Sequence, residues 1–200
     1  MKILFYRYGS ICEPDIIDAF HEYGFEITEV TTEVYTKNFP PAEGVALVSR
    51  ILMDTPHDAV FTINFFPFIA EVCNIMKLRY ISWIVDSPVL ELYSPAVSNP
   101  WNRIFLFDRS LYHEISPMNP DCVFYLPLAV NVNQKQNAIK NAPVAQRKKY
   151  ASDLSFVGSL YTEKCPYQDL ENLPGRLLIL RRTDRSAAVS LRILLYRRHS

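Results

Sequence analysis

Five times in its first 131 residues this chain produces a short run that is apolar on both faces, in "MKILFYRY", "HDAVFTINFFP", "RYISWIVDSP", "RIFLFD" and "CVFYLPLAVN". A strand of that kind satisfies its side chains only when helices shield both surfaces of its sheet. The stretches between the runs supply such helices. After "MKILFYRY", Pro14 suits a first helical turn, Ile16, Ile17 and Phe20 share one face, and Gly24 offers a stop. In "AEGVALVSRILMD" Val45, Val48 and Leu52 form a stripe, and in "PFIAEVCNIMKL" Ile69, Val72, Cys73 and Met76 recur at helical spacing.

Other segments fit the same scheme. "FEITEVTTEVY" alternates as an edge or half-covered strand does, and a Pro-rich loop, "VLELYSPAVSNPWN", precedes "RIFLFD" and a short helix around Leu111 to Ile115. The expected fold is α/β, a Rossmann-like, doubly wound and mostly parallel sheet over residues 1–131. Residues 132–152, with little periodicity, read as a linker or exposed helix. "DLSFVGSLY" then starts a new strand, so residues 153–174 read as the opening of a second, incomplete domain.

Composition narrows the chemistry. The cysteines Cys12, Cys73, Cys122 and Cys165 form no CxxC pair, which gives a disulfide framework or zinc site no support. His21, His57, His113 and His199 are scattered, without HExxH. There is no GxGxxG, no GxxxxGK[ST] and no GxSxG. No metal and no cofactor is therefore expected. Met1 runs directly into an apolar strand, without a signal segment, and no apolar run reaches the ~20 residues that span a bilayer, so the expected location is cytoplasmic.

In an open α/β sheet ligands bind beyond the carboxyl ends of the strands. The residues there are Tyr8 and Gly9, Asn64, Asp86 with Ser87, Asp108, and Pro127 to Asn131. Asp86 in "WIVDSP" can accept a hydrogen bond from a sugar or acceptor hydroxyl; equally, Asp86 and Ser87 can cap a turn before Pro88. Asn64 is either a ligand contact or a satisfied loop amide. Tyr8 and Gly9 fit a tight turn where backbone approaches a ligand, and Gly9 fits a plain turn as well. Asp108 reads as a helix cap. In the second segment, backbone N–H groups at Gly158 and Ser159 can hold a phosphate at a helix N-terminus.

In chain order, "MKILFYRYGS", "FTINFFP", "ISWIVDSP", "IFLFDRS", "FYLPLAVN" and "DLSFVGSLY" resemble the landmarks of the CgeB-type (spore-maturation-protein-like) glycosyltransferases, over about Met1 to Leu173. The resemblance implies a GT-B architecture, two Rossmann-like domains across a cleft, usually working without an essential metal. It places Tyr8, Gly9, Asn64, Asp86 and Ser87 on the acceptor side and Gly158 and Ser159 at the donor diphosphate. The implied partners are a nucleotide-sugar donor and a hydroxyl acceptor, with no nucleic acid.

After Pro174 the likeness ends. Residues 1–174 carry 14 Lys/Arg and 20 Asp/Glu, whereas residues 175–200 carry seven Arg and a single acid, Asp184. The expectation is an aberrant Arg-rich tail following a frameshift near Pro174 or Gly175; the alternative is a native amphipathic helix that meets membrane or nucleic acid. The leading reading is thus the acceptor-side half of a truncated GT-B glycosyltransferase, inactive alone, with self-association through an unfinished second domain. The competing one is a non-enzymatic α/β binding module that uses its basic tail to hold a partner.

Overall fold

The structure is a computed structural model that describes residues 1–36 and 39–155. The chain divides into two units, Met1–Asn141 and Ala142–Ser200. In chain order the first contains β1 (Lys2–Tyr6), α1 (Glu13–Glu22), β2 (Glu26–Val30), α2 (Thr32–Tyr35), α3 (Pro41–Asp54), β3 (Ala59–Ile63), α4 (Pro67–Met76), β4 (Arg79–Ile84), β5 (Asn102–Leu106), α5 (Arg109–Ile115), β6 (Val123–Tyr125) and α6 (Val132–Asn141). Described residues of the second unit include the short exposed helix α7 (Val144–Lys149).

All six strands join one parallel sheet in the order β2-β1-β3-β4-β5-β6. The α/β, doubly wound expectation is therefore met. From β1 the chain steps one way to β2, then jumps back over β1 to β3 and continues outward to β6. Right-handed crossovers made in opposite directions fall on opposite faces. Accordingly α1 lies on one face, while α3, α4, α5 and two 3₁₀ turns at Leu90–Tyr93 and Pro95–Ser98 cover the other.

The covered face forms the larger core. Leu4, Tyr6, Val60, Tyr80, Ile84, Ile104 and Leu106 point into it and meet Val48, Ile69, Cys73, Leu92, Val97 and Ile115, all fully or nearly fully buried. Burying each such large side chain contributes about 1.5–3 kcal/mol. On the opposite face Ile3, Phe5, Phe61 and Ile63 pack beneath Ile16, Ile17 and Phe20 of α1, with Phe20 set edge-on to Phe61 at 5.0 Å. Ile81, Trp83 and Phe105 on this face are only half-buried, because among the described residues no crossover helix packs over β4 and β5 there.

Three expectations need correction. Val45 is 38% exposed; the buried stripe of α3 is Gly44, Val48 and Leu52, where Gly44 lets Phe68 approach so closely that a Cβ would sit 2.9 Å from its ring. "TTEVY" is not strand: β2 ends at Val30 and Thr32–Tyr35 turns into helix, where Glu33 accepts a 2.6 Å hydrogen bond from Tyr6 Oη. The Pro-rich segment is not a bare loop but a crossover whose Leu92, Ala96 and Val97 are buried. The 132–152 stretch does form exposed helices, α6 and α7, with no buried residue. Among the described residues no helix is long and apolar enough to cross a membrane.

Candidate functional site

The winding reverses between β1 and β3, and it is there that an open sheet leaves a crevice at its carboxyl edge. Asn64, directly after β3, occupies that point with φ +58°, a left-handed conformation that residues other than glycine seldom adopt. The surrounding structure over-determines it. Its backbone N–H donates to the Trp83 carbonyl at 2.9 Å, and its carbonyl accepts from Thr62 Oγ1 at 2.6 Å and Ser82 Oγ at 2.9 Å. Thr62 and Ser82 are fully buried, and Tyr80 Oη ties Thr62 Oγ1 at 2.7 Å to the Phe66 N–H at 2.9 Å. Burial pushes the Tyr80 phenol far up, against the opposing hydrogen bonds with Thr62, the Phe66 N–H and Ser82, so it stays protonated and serves as a structural link.

This support aims the Asn64 amide. Its Nδ2 donates to Tyr8 Oη at 2.9 Å and to Asp86 Oδ2 at 2.6 Å, while Oδ1 accepts from the Val85 N–H at 3.1 Å. Tyr8, Asn64 and Asp86, far apart in sequence, thus form one bonded cluster. Burial and then the field of Asp86 hold the Tyr8 phenol above its ordinary range, against a hydrogen bond with Ser10 that pulls it down. Asp86 itself is exposed. Anchored through Oδ2, its carboxylate has a second oxygen with no hydrogen-bond partner among the described residues, suited to accepting a bond from a hydroxyl.

Ser87 and Gly9 go elsewhere. Ser87 Oγ donates to Asp108 Oδ2 at 3.1 Å, and Asp108 caps α5 by accepting from the Ser110 and Leu111 N–H groups at 2.7 and 3.3 Å, as a helix cap should. Those bonds to Leu111, Ser110 and Ser87 hold the Asp108 carboxyl below its usual range. Gly9 takes φ +94°, which suits glycine, but its N–H is already engaged. Asn131 Nδ2 contacts Asp15 Oδ1 at 3.4 Å and its Oδ1 caps the start of α6. Gly158 and Ser159 lie outside the described residues, as does the Arg-rich tail.

The group that engages Gly9 is Glu13, which the sequence reading missed. This fully buried carboxylate accepts through Oε1 from the Tyr8, Gly9 and Ser10 N–H groups at 2.9–3.0 Å, and through Oε2 from Arg7 Nε at 2.8 Å. Arg7 in turn pairs with Glu29. In a Rossmann-like domain the loop after β1 is a ready anion nest. Here the chain fills it with its own carboxylate, so the loop offers a phosphate nothing to bind. A Ser followed three residues later by Glu at a helix start, Ser10 and Glu13, is the signal that would have found it.

His57, by contrast, is a packing residue, with Nδ1 2.8 Å from the Thr55 carbonyl and Nε2 3.0 Å from Thr28 Oγ1.

No protein-family model and no curated protein matches the chain. Among solved structures, a two-component response regulator from Clostridium difficile is similar at 10% identity, with 76% of this chain and 99% of that chain covered and a TM-score of 0.36. A likeness at that level carries no argument about function.

Proposed function

We propose that the Met1–Asn141 unit receives a hydroxyl-bearing acceptor in the crevice above β1, β3 and β4, as the acceptor-side half of a GT-B-type glycosyltransferase. The observation that carries this reading is the Asn64 amide, locked in a left-handed conformation and holding Tyr8 Oη and Asp86 Oδ2 together at the carboxyl edge of the sheet. A left-handed residue held by a buried network at the mouth of a crevice presents its side chain in one fixed orientation, which supports a binding role. The self-filled nest at Glu13 supports the acceptor role over a phosphate-holding one.

In such a reaction the acceptor hydroxyl attacks the sugar carbon, and the bond to the nucleoside diphosphate breaks with its electron pair going to the departing phosphate. The hydroxyl proton passes to the carboxylate that accepts its hydrogen bond or through it to water. Asp86 would accept the hydroxyl hydrogen bond and orient the oxygen, with Tyr8 and Asn64 fixing the carboxylate. Stabilising the departing diphosphate needs a second wall of opposite chemistry. Turnover of a nucleotide-sugar is accordingly not expected from this unit's residues alone.

Amide NMR of the full chain, titrated with methyl β-glucoside and separately with UDP-glucose, tests the reading. The glucoside is expected to shift the Asn64 side-chain NH₂ and the Val85 amide, an effect lost in Asp86→Ala, while UDP-glucose leaves the Gly9 amide unmoved. Shifts at Tyr8 to Ser10 with UDP-glucose, or glucoside shifts indifferent to Asp86→Ala, would contradict it.

A further inference from the structure

Resting on that reading, we propose that the acceptor is an amphiphilic alcohol whose apolar chain lies along the uncovered half of the sheet and whose hydroxyl end reaches Asp86. A groove of about 740 Å³ runs there, its floor made by Ile81, Trp83 and Phe105. One wall is the edge of α1, including Ile16 and Ala19; the other is the extended segment after β6, including Leu128 and Val130. This volume falls within the ~300–1,000 Å³ typical of small-molecule sites.

The groove has two ends. Met1 and Phe25 line it at the amino edge of the sheet, and Cys12, Val85 and Leu126 line it at the carboxyl edge. Strands of five or six residues separate those ends by roughly 17–20 Å, the span of an extended chain of about fifteen carbons. At the carboxyl end Val85 joins the groove to the polar cluster, because its side chain lines the one while its N–H donates to Asn64 Oδ1 in the other. An apolar chain lying along the floor therefore ends beside the residue that precedes Asp86.

Concavity decides between occupants. The exposed apolar residues Met1, Leu126, Leu128, Val130 and Val132 line the groove itself, whereas Ile11, Tyr35, Met53 and Ile75, on separate elements or at their ends, form no apolar ridge that would seat a second copy in it. The first residues of α6, Val132 and Asn133, line the groove, and the rest of that polar helix is exposed. A slender apolar chain fits what remains.

Bromine quenching of Trp83 fluorescence in a Trp101→Phe background tests the assignment on the full chain. With 11-bromoundecan-1-ol the expected result is saturable quenching whose midpoint rises in Ala19→Phe, about tenfold for every two methylenes excluded. Val130→Asp at the rim should raise it as well, and circular dichroism checks that both variants fold. Quenching that never saturates, a midpoint unmoved by both substitutions, or sedimentation showing a dimer that Ala19→Phe dissociates would overturn the proposal. The hydroxyl reading is scored separately: the alcohol should bind more tightly than 1-bromodecane, and Asp86→Asn should remove the difference. If the two bind alike in the unsubstituted chain, the hydroxyl contact fails while the apolar chain keeps its groove.

Discussion

Ile104 and Phe105 are neighbours on one strand with opposite fates. Ile104 is completely buried in the core with Leu92 and Val97 of the preceding crossover and Ile115 of α5, whereas Phe105, facing the other way, stays half-buried and stacks on Phe124, itself 36% exposed. The same contrast separates Ser82 from Trp83 on β4. Winding direction explains it: every connection from β2 onward moves the same way across the sheet, so right-handedness places it on one face, and among the described residues α1 is the helix packed on the other. One face of this sheet is finished by its own chain. Among the described residues, the other is covered over β1 and β3 and forms a groove over β4 and β5.

That difference predicts unequal costs for comparable truncations. Ile104→Ala should lower unfolding free energy by about 2–5 kcal/mol, because it opens a sealed cavity. Phe105→Ala removes more carbon yet should cost only about 1 kcal/mol, since its partly hydrated ring leaves no sealed void. Urea denaturation of the two variants measures this, and equal losses would break the comparison.

A smaller effect should differ in sign. Gly44→Val drives a side chain into Phe68 between α3 and α4, where a Cβ already lies 2.9 Å from the ring, and should destabilise by about 1–3 kcal/mol. Ala19→Phe adds bulk on the groove side, where there is room, and should be neutral or stabilising by up to about 1 kcal/mol. Thermal unfolding of both variants sharpens the point. A loss at Ala19 to match that at Gly44 would mean that the groove is already packed.

Much of this architecture was legible in the residues. Runs such as "AVFTI", apolar at both parities, announced buried parallel strands, and the strand-end rule brought Tyr8, Asn64 and Asp86 forward before any geometry was known. Thr32–Tyr35 was misread because β-branched and aromatic residues carry strand propensity, which the end of β2 at Val30 and the Tyr6–Glu33 bond override. Val45 was misread because its spacing fits the stripe equally well, and only the approach of Phe68 selects the Gly44 side. The Glu13 plug escaped notice because it joins a side chain to three backbone amides of a loop. The groove was hidden for another reason: that no described helix packs over β4 and β5 on this face follows only from the crossover directions.

Cysteine reactivity tests the contrast between the faces most directly, since Cys12 lines the groove while Cys73 is sealed in the covered face, where burial pushes its thiol up to about 12. In native protein, site-resolved labelling with N-phenylmaleimide should modify Cys12 orders of magnitude faster than Cys73, which should react only as the chain unfolds. Protection of Cys12 as strong as that of Cys73 would contradict the open groove and the account built on it.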